Sequence, residues 1–234
     1  MDIIRSKLNV QGPAKDNWFD YIIDIFEHEK VLSTWKKYEI DDSDTDNKIA
    51  TFYINDDIYI KMTCAPSNFS IELYSYGYTN TIYGGSGSSG YINCITIYKQ
   101  NTCTGFNFKI SSYTDGSYSS LEIPIVIDSI NNDPNNIVVL YTGTKRFYTS
   151  VTDNYVSSYW YYGDSSSGGS LYTNSIQLVP FVIAKINAQF DTLYGVCFSP
   201  VMNKFVMFND ERWLITGSGI AIPCGDEINY YYVD

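Results

Sequence analysis

The chain has 234 residues, 44% of them apolar, 17% aromatic and 18% charged, with a formal net charge of −11. That balance belongs to folded globular proteins and excludes a disordered chain. With 15 Lys+Arg against 26 Asp+Glu, no continuous positive field is available for phosphates, and nucleic-acid binding is not expected. The first residues, MDIIRSKLNV, lack the apolar core of an export signal. The longest apolar run, LVPFVIA at 178–184, is too short to span a bilayer. A soluble protein made in a cytoplasm, with no membrane contact, is the expectation.

In chain order, residues 16–30 (DNWFDYIIDIFEHEK) come first. Trp18, Phe19, Ile22, Ile23, Ile25 and Phe26 recur at the spacing of one helix face, with Asp16 or Asn17 as N-cap. The spacing predicts an amphipathic helix whose apolar stripe has to be buried on the β body or on a neighbour. We expect a docking role, with Trp18 and Ile22 at the interface. His28, the chain's one histidine, falls at the predicted helix end, where an imidazolium suits the dipole.

From Val31 the apolar period changes to two. Strands are predicted at 35–40, 48–54, 58–64, 69–76, 91–99, 105–113, 121–127, 137–141, 145–151, 158–162, 176–185, 193–199, 204–209 and 213–222. Turn formers such as Asn55-Asp56, Asp115-Gly116, Asn135-Asn136 and Asn209-Asp210 separate them. The fold class read from this pattern is mainly β. It is an antiparallel, jelly-roll-like β-sandwich with one N-terminal amphipathic helix, divided into an arm and helix at 1–34 and a β domain at 35–234. Gly/Ser stretches at 84–90 and 163–170 read as long loops. The first contains G-x-G-x-x-G at 85–90, but a predicted strand follows where a dinucleotide site needs a helix N-terminus.

Candidate chemistry is sparse. Five cysteines at 64, 94, 103, 197 and 224 form no C-x-x-C pair and read as free, largely buried thiols. One histidine leaves little scope for His-dependent catalysis, and no Walker A, H-E-x-x-H or G-x-S-x-G motif occurs. Asp42, Asp44 and Asp46 alternate like the first half of a calcium loop, but Tyr53 stands where the bidentate Glu belongs. They are candidates for a weak Ca²⁺ site, against the plainer reading of a solvated turn. Trp160, in the run 159–162 (YWYY), is a candidate for stacking on a sugar or anchoring a protein.

Charge is unevenly divided. Residues 1–61 hold 13 of the 26 acidic and 8 of the 15 basic groups, whereas residues 62–234 hold 19 of the 23 tyrosines. Tyr, Ser, Thr and Asn with few Lys or Glu compose a contact surface, because Tyr supplies area at low entropic cost.

Residues 190–225 (FDTLYGVCFSPVMNKFVMFNDERWLITGSGIAIPCG) run strand, Asn/Asp turn, strand, Gly-containing step, then an apolar strand ending Ile-Ala-Ile-Pro. With the Tyr/Asn/Ser/Gly-rich middle, this resembles virion proteins of tailed bacteriophages, notably tail, neck or baseplate components of phages of low-GC Gram-positive hosts. The resemblance implies a β domain assembled into rings or attached to a particle, as a homo-oligomer and with other virion proteins. It carries over no site residue. The expectation is a non-enzymatic virion structural protein, and the alternative is a module that binds host-surface glycans through Trp160 and the Gly/Ser loops.

Overall fold

The computed structural model describes residues 1–7, 9–12, 14–75, 78–86, 90–114, 117–141, 146–149, 177–183, 188–197, 204–216 and 220–234. Its strands are β1 (Asp2–Ser6), β2 (Val10–Gln11), β3 (Lys37–Asp41), β4 (Lys48–Tyr53), β5 (Ile58–Cys64), β6 (Asn68–Ser75), β7 (Tyr78–Ser86), β8 (Gly90–Gln100), β9 (Cys103–Thr114), β10 (Ser117–Ile130), β11 (Asp133–Tyr141), β12 (Arg146–Thr149), β13 (Gln177–Ile183), β14 (Ala188–Cys197), β15 (Lys204–Phe208), β16 (Glu211–Thr216), β17 (Ile220–Pro223) and β18 (Asn229–Val233). A π-helical turn (Ala14–Trp18) leads into helix α1 (Phe19–Phe26), and a short helix α2 (Glu29–Leu32) follows. The chain is therefore mainly β with a small helical segment near its N-terminus, as its periodicities indicate.

Two compact units divide it. The first comprises Asp2–Ile97, Phe106–Ile123 and Tyr230–Asp234; the second comprises Met1, Tyr98–Gly105 and Pro124–Asn229. The division expected at residue 34 is not where the contacts separate, because the helical segment shares a unit with β3 to β7.

In the first unit, β3-β4-β5-β6-β7 form a five-stranded antiparallel meander. Alternation decides its faces. Ala50, Phe52, Ile58, Ile60, Met62, Cys64, Phe69, Ile71 and Leu73 are buried on one side, while Thr51, Tyr53, Tyr59, Lys61, Glu72 and Tyr74 stand half-exposed on the other. Helix α1 packs on the buried side, leaving only Asp20 and Asp24 of its eight residues exposed. The Trp18 ring meets Phe69 of β6 edge-on at 5.3 Å. Phe26 touches both Phe52 of β4, at 4.8 Å, and Phe106 of β9, at 5.2 Å. The helix thus fills the space between two sheets, the arrangement of a sandwich core.

The predicted helix is interrupted at His28. This residue leaves helical backbone space (φ −55°, ψ 136°), and its Nδ1 accepts the Lys30 N–H at 3.2 Å, so it caps the start of α2. Its ring also lies 5.5 Å from Tyr231. The role expected for it at a helix C-terminus is corrected to an N-cap.

In the second unit, β15, β16, β17 and β14 follow one another, β14 meets β10 and β13, and β11 joins β10 to β12. The buried Asp128 on β10 organises one corner. Its carboxylate accepts from Thr102 Oγ1 at 2.8 Å and from the backbone N–H groups of Thr192 and Leu193 at 2.9 and 3.1 Å. Burial raises its pKa despite those bonds. All three donors belong to the unit's own framework, which gives Asp128 a structural role.

Candidate contact face

The registers of the meander set its outward residues in rows. Lys37 faces Tyr53, Tyr53 faces Tyr59, and Tyr59 faces Tyr74. The side chains make one continuous ladder across four strands: Lys37 Nζ lies 4.1 Å from the Tyr53 ring centre, Tyr53 and Tyr59 are 5.0 Å apart, and Tyr59 and Tyr74 stack at 4.4 Å and 12°. Cross-strand aromatic and cation–π contacts of this kind hold side chains upright on a sheet.

The next row carries charge. Glu39 faces Thr51, Thr51 faces Lys61, and Lys61 faces Glu72. Glu39 accepts from Lys37 Nζ at 2.8 Å and from the Tyr53 hydroxyl at 3.1 Å, and these donors hold its carboxyl below the usual range. The Tyr74 hydroxyl donates to Glu72 at 3.4 Å. Burial raises the pKa of the Tyr53 and Tyr59 phenols, so they remain neutral donors at ordinary pH. The result is a surface of phenols and hydroxyls with both signs of charge interspersed, which lines a shallow cleft.

Tyr59 is the middle of the ladder. Tyr59→Ala removes two ring contacts and should lower stability by about 1–3 kcal/mol. Tyr59→Phe keeps both and should leave the urea midpoint nearly unchanged. Equal midpoints for the two variants would show that the stack contributes nothing.

The residues expected to carry function are distributed otherwise. Trp18 and Ile22 are 0% and 1% exposed. They lie in the interior of their own unit, so the interface expected at these positions is corrected to a core, because the β body of the same chain covers the whole apolar stripe. Trp160 lies outside the described residues.

Asp42, Asp44 and Asp46 are all exposed on the turn between β3 and β4. Asp44 bends back on the loop, Oδ1 accepting the Asp46 N–H at 2.8 Å and Oδ2 the Asn47 side chain at 3.0 Å. Among the described residues no group of three metal-ligating side chains converges. The melting temperature should therefore be the same with millimolar Ca²⁺ and with chelator. A rise with Ca²⁺ that Asp44→Asn abolishes would establish the site.

Cys64, Cys103 and Cys224 are buried and Cys94 is half-buried, all as free thiols. Gly85-Ser86 end β7 and Gly90 begins β8, so the glycine motif is followed by a strand. Among the described residues no helix is long and apolar enough to cross a membrane.

The ladder itself is not legible in the sequence. Each tyrosine is visible inside a predicted strand, but the row depends on pairing registers that the turn geometry sets. The chain shows no significant match to known protein families, to characterised proteins or to solved structures.

Proposed function

We propose that this chain is a non-enzymatic structural protein that assembles with protein neighbours through its β surfaces, of the kind that builds the tail, neck or baseplate of a tailed-phage particle. The observation that supports this reading best is the ladder face. It is preorganised by its cross-strand contacts and sets three tyrosines side by side between interspersed charges, and Tyr is enriched at protein contact surfaces. In this reading the protein resides in the virion and works as one of several copies.

The same face argues against a glycan as its occupant. Sugars stack on open aromatic faces, and here both faces of Tyr53 and Tyr59 are taken by Lys37 and by neighbouring rings. Hydroxyls and ring edges are what the ladder presents outward, and these suit a protein partner.

Two assays on the purified full chain separate the readings. Assembly predicts oligomers that grow with concentration, seen as ordered particles by electron microscopy, and no retention on Gram-positive cell-wall polysaccharide. A monomer that such polysaccharide retains, and that Tyr74→Ala releases, would overturn the proposal in favour of glycan binding.

A further inference from the structure

Edge strands expose unpaired backbone groups, and monomeric proteins guard them with charge, proline or bulges. Strand β3, at one edge of the meander, has that guard in Lys37, Glu39 and Asp41. Two further strands end their sheet order without it. Among the described residues β15 pairs only with β16, and β18 only with β1. Their sequences, KFVMF and NYYYV, contain one charged residue, Lys204. Phe205 and Met207 are 42% and 64% exposed, and Tyr230 and Tyr232 are 50% and 70% exposed. In both strands the exposed pair sits at alternate positions, hence on one face.

We propose that β15 of one copy adds antiparallel to β18 of a second copy, with Phe205 opposite Tyr232 and Met207 opposite Tyr230. This inference rests on the assembly reading above and names the partner as the chain itself. The register follows from the side chains. Directly opposed residues share a face, so this alignment sets exposed against exposed, whereas a slip by one residue would turn the pairs to opposite sides. It forms an aromatic pair and a sulfur–aromatic pair, both favourable across strands.

The surroundings of Met207 fit the incoming side chain. Met207 lines a cleft of about 350 Å³ together with Asp210, Arg212, Pro223 and Gly225. The ring of Tyr230 would enter over Met207, and its hydroxyl would meet Asp210 or Arg212. Each copy carries one β15 and one β18, so the contact is heterologous and repeats from copy to copy. It closes into a ring or extends as a filament.

The experiment uses two full-length variants, Met207→Lys and Tyr230→Glu, both checked for native circular dichroism. By sedimentation velocity the parent chain should associate, and each variant alone should associate about tenfold more weakly or worse. Their equimolar mixture should recover association, because the introduced ammonium then faces the introduced carboxylate, while the untouched Met207 and Tyr230 edges still meet. Variants that associate like the parent would overturn the contact, as would a mixture without recovery. Recovery by Tyr232→Glu in place of Tyr230→Glu would overturn the register. A chain present in particles yet monomeric in solution would overturn this edge contact and leave the wider reading standing. A chain that assembles through these edges but is absent from particles would do the reverse.

Discussion

Replacing Phe26 by alanine should destabilise the first unit by about 3–5 kcal/mol, the usual cost of truncating a fully enclosed aromatic residue. Phe26 is fully buried. Its ring stacks on Trp35 at 5.4 Å and on Phe106 at 5.2 Å, and touches Phe52 at 4.8 Å and Phe108 at 5.9 Å. Trp35 is fixed in turn by a hydrogen bond from its Nε1 to the Phe26 carbonyl at 3.2 Å. A cavity at this point removes a contact to each sheet at once, and the rigid rings around it cannot collapse to fill the space. Ile22→Asp should be worse, because it puts a carboxylate without a partner into the same interior. Urea unfolding followed by tryptophan fluorescence measures both. Full stability of Ile22→Asp together with loss of assembly would return α1 to a docking role and contradict the core described above.

Alkaline pH should destabilise the protein through buried groups that resist ionisation, Cys64 and Tyr21 among them. Burial pushes the Cys64 thiol from its ordinary value of 9.0 up to about 12, and the Tyr21 phenol from 10.0 up to about 12. Both groups are neutral when protonated, and both hold the proton more tightly in the folded chain than in the unfolded one. Their contribution is therefore complete below about pH 9 and is lost as the pH climbs towards about 12. For Cys64 alone the rise is worth about 4 kcal/mol, a large part of the stability of an ordinary domain. The urea midpoint should be level from neutrality to about pH 9 and then fall steeply, and Cys64→Ala should soften the fall. A midpoint unchanged to about pH 11 would mean that these groups ionise in place without cost.

Legibility in the sequence followed the range of the interactions. Strands β4, β5 and β6 were readable because Lys48–Tyr53, Ile58–Cys64 and Asn68–Ser75 alternate apolar and polar residues along a half-buried sheet. Helix α1 was readable from its period, but the break after it was not, since His28 caps α2 through one local bond that no periodicity encodes. The Gly/Ser run at 84–90 reads as a loop, yet Gly84 and Gly85 continue β7, opposite Ser70 and Phe69. At Gly85 a Cβ would collide with the ring of Tyr83, so the glycine is there for room. Strand β18 left no signal because its partner, β1, lies at the other end of the chain, and pairing at that separation makes no local mark. The tyrosine ladder and the complementary edges are likewise products of register.

The most direct test of the proposed role is to quantify the chain by mass spectrometry across a density gradient of purified phage particles from its source. The chain should sediment with the particles in constant proportion to their major proteins, and be released only when the particles are dissociated. Recovery of the chain wholly in the soluble fraction of the lysate, with none in the particle peak, would contradict a structural role in the virion.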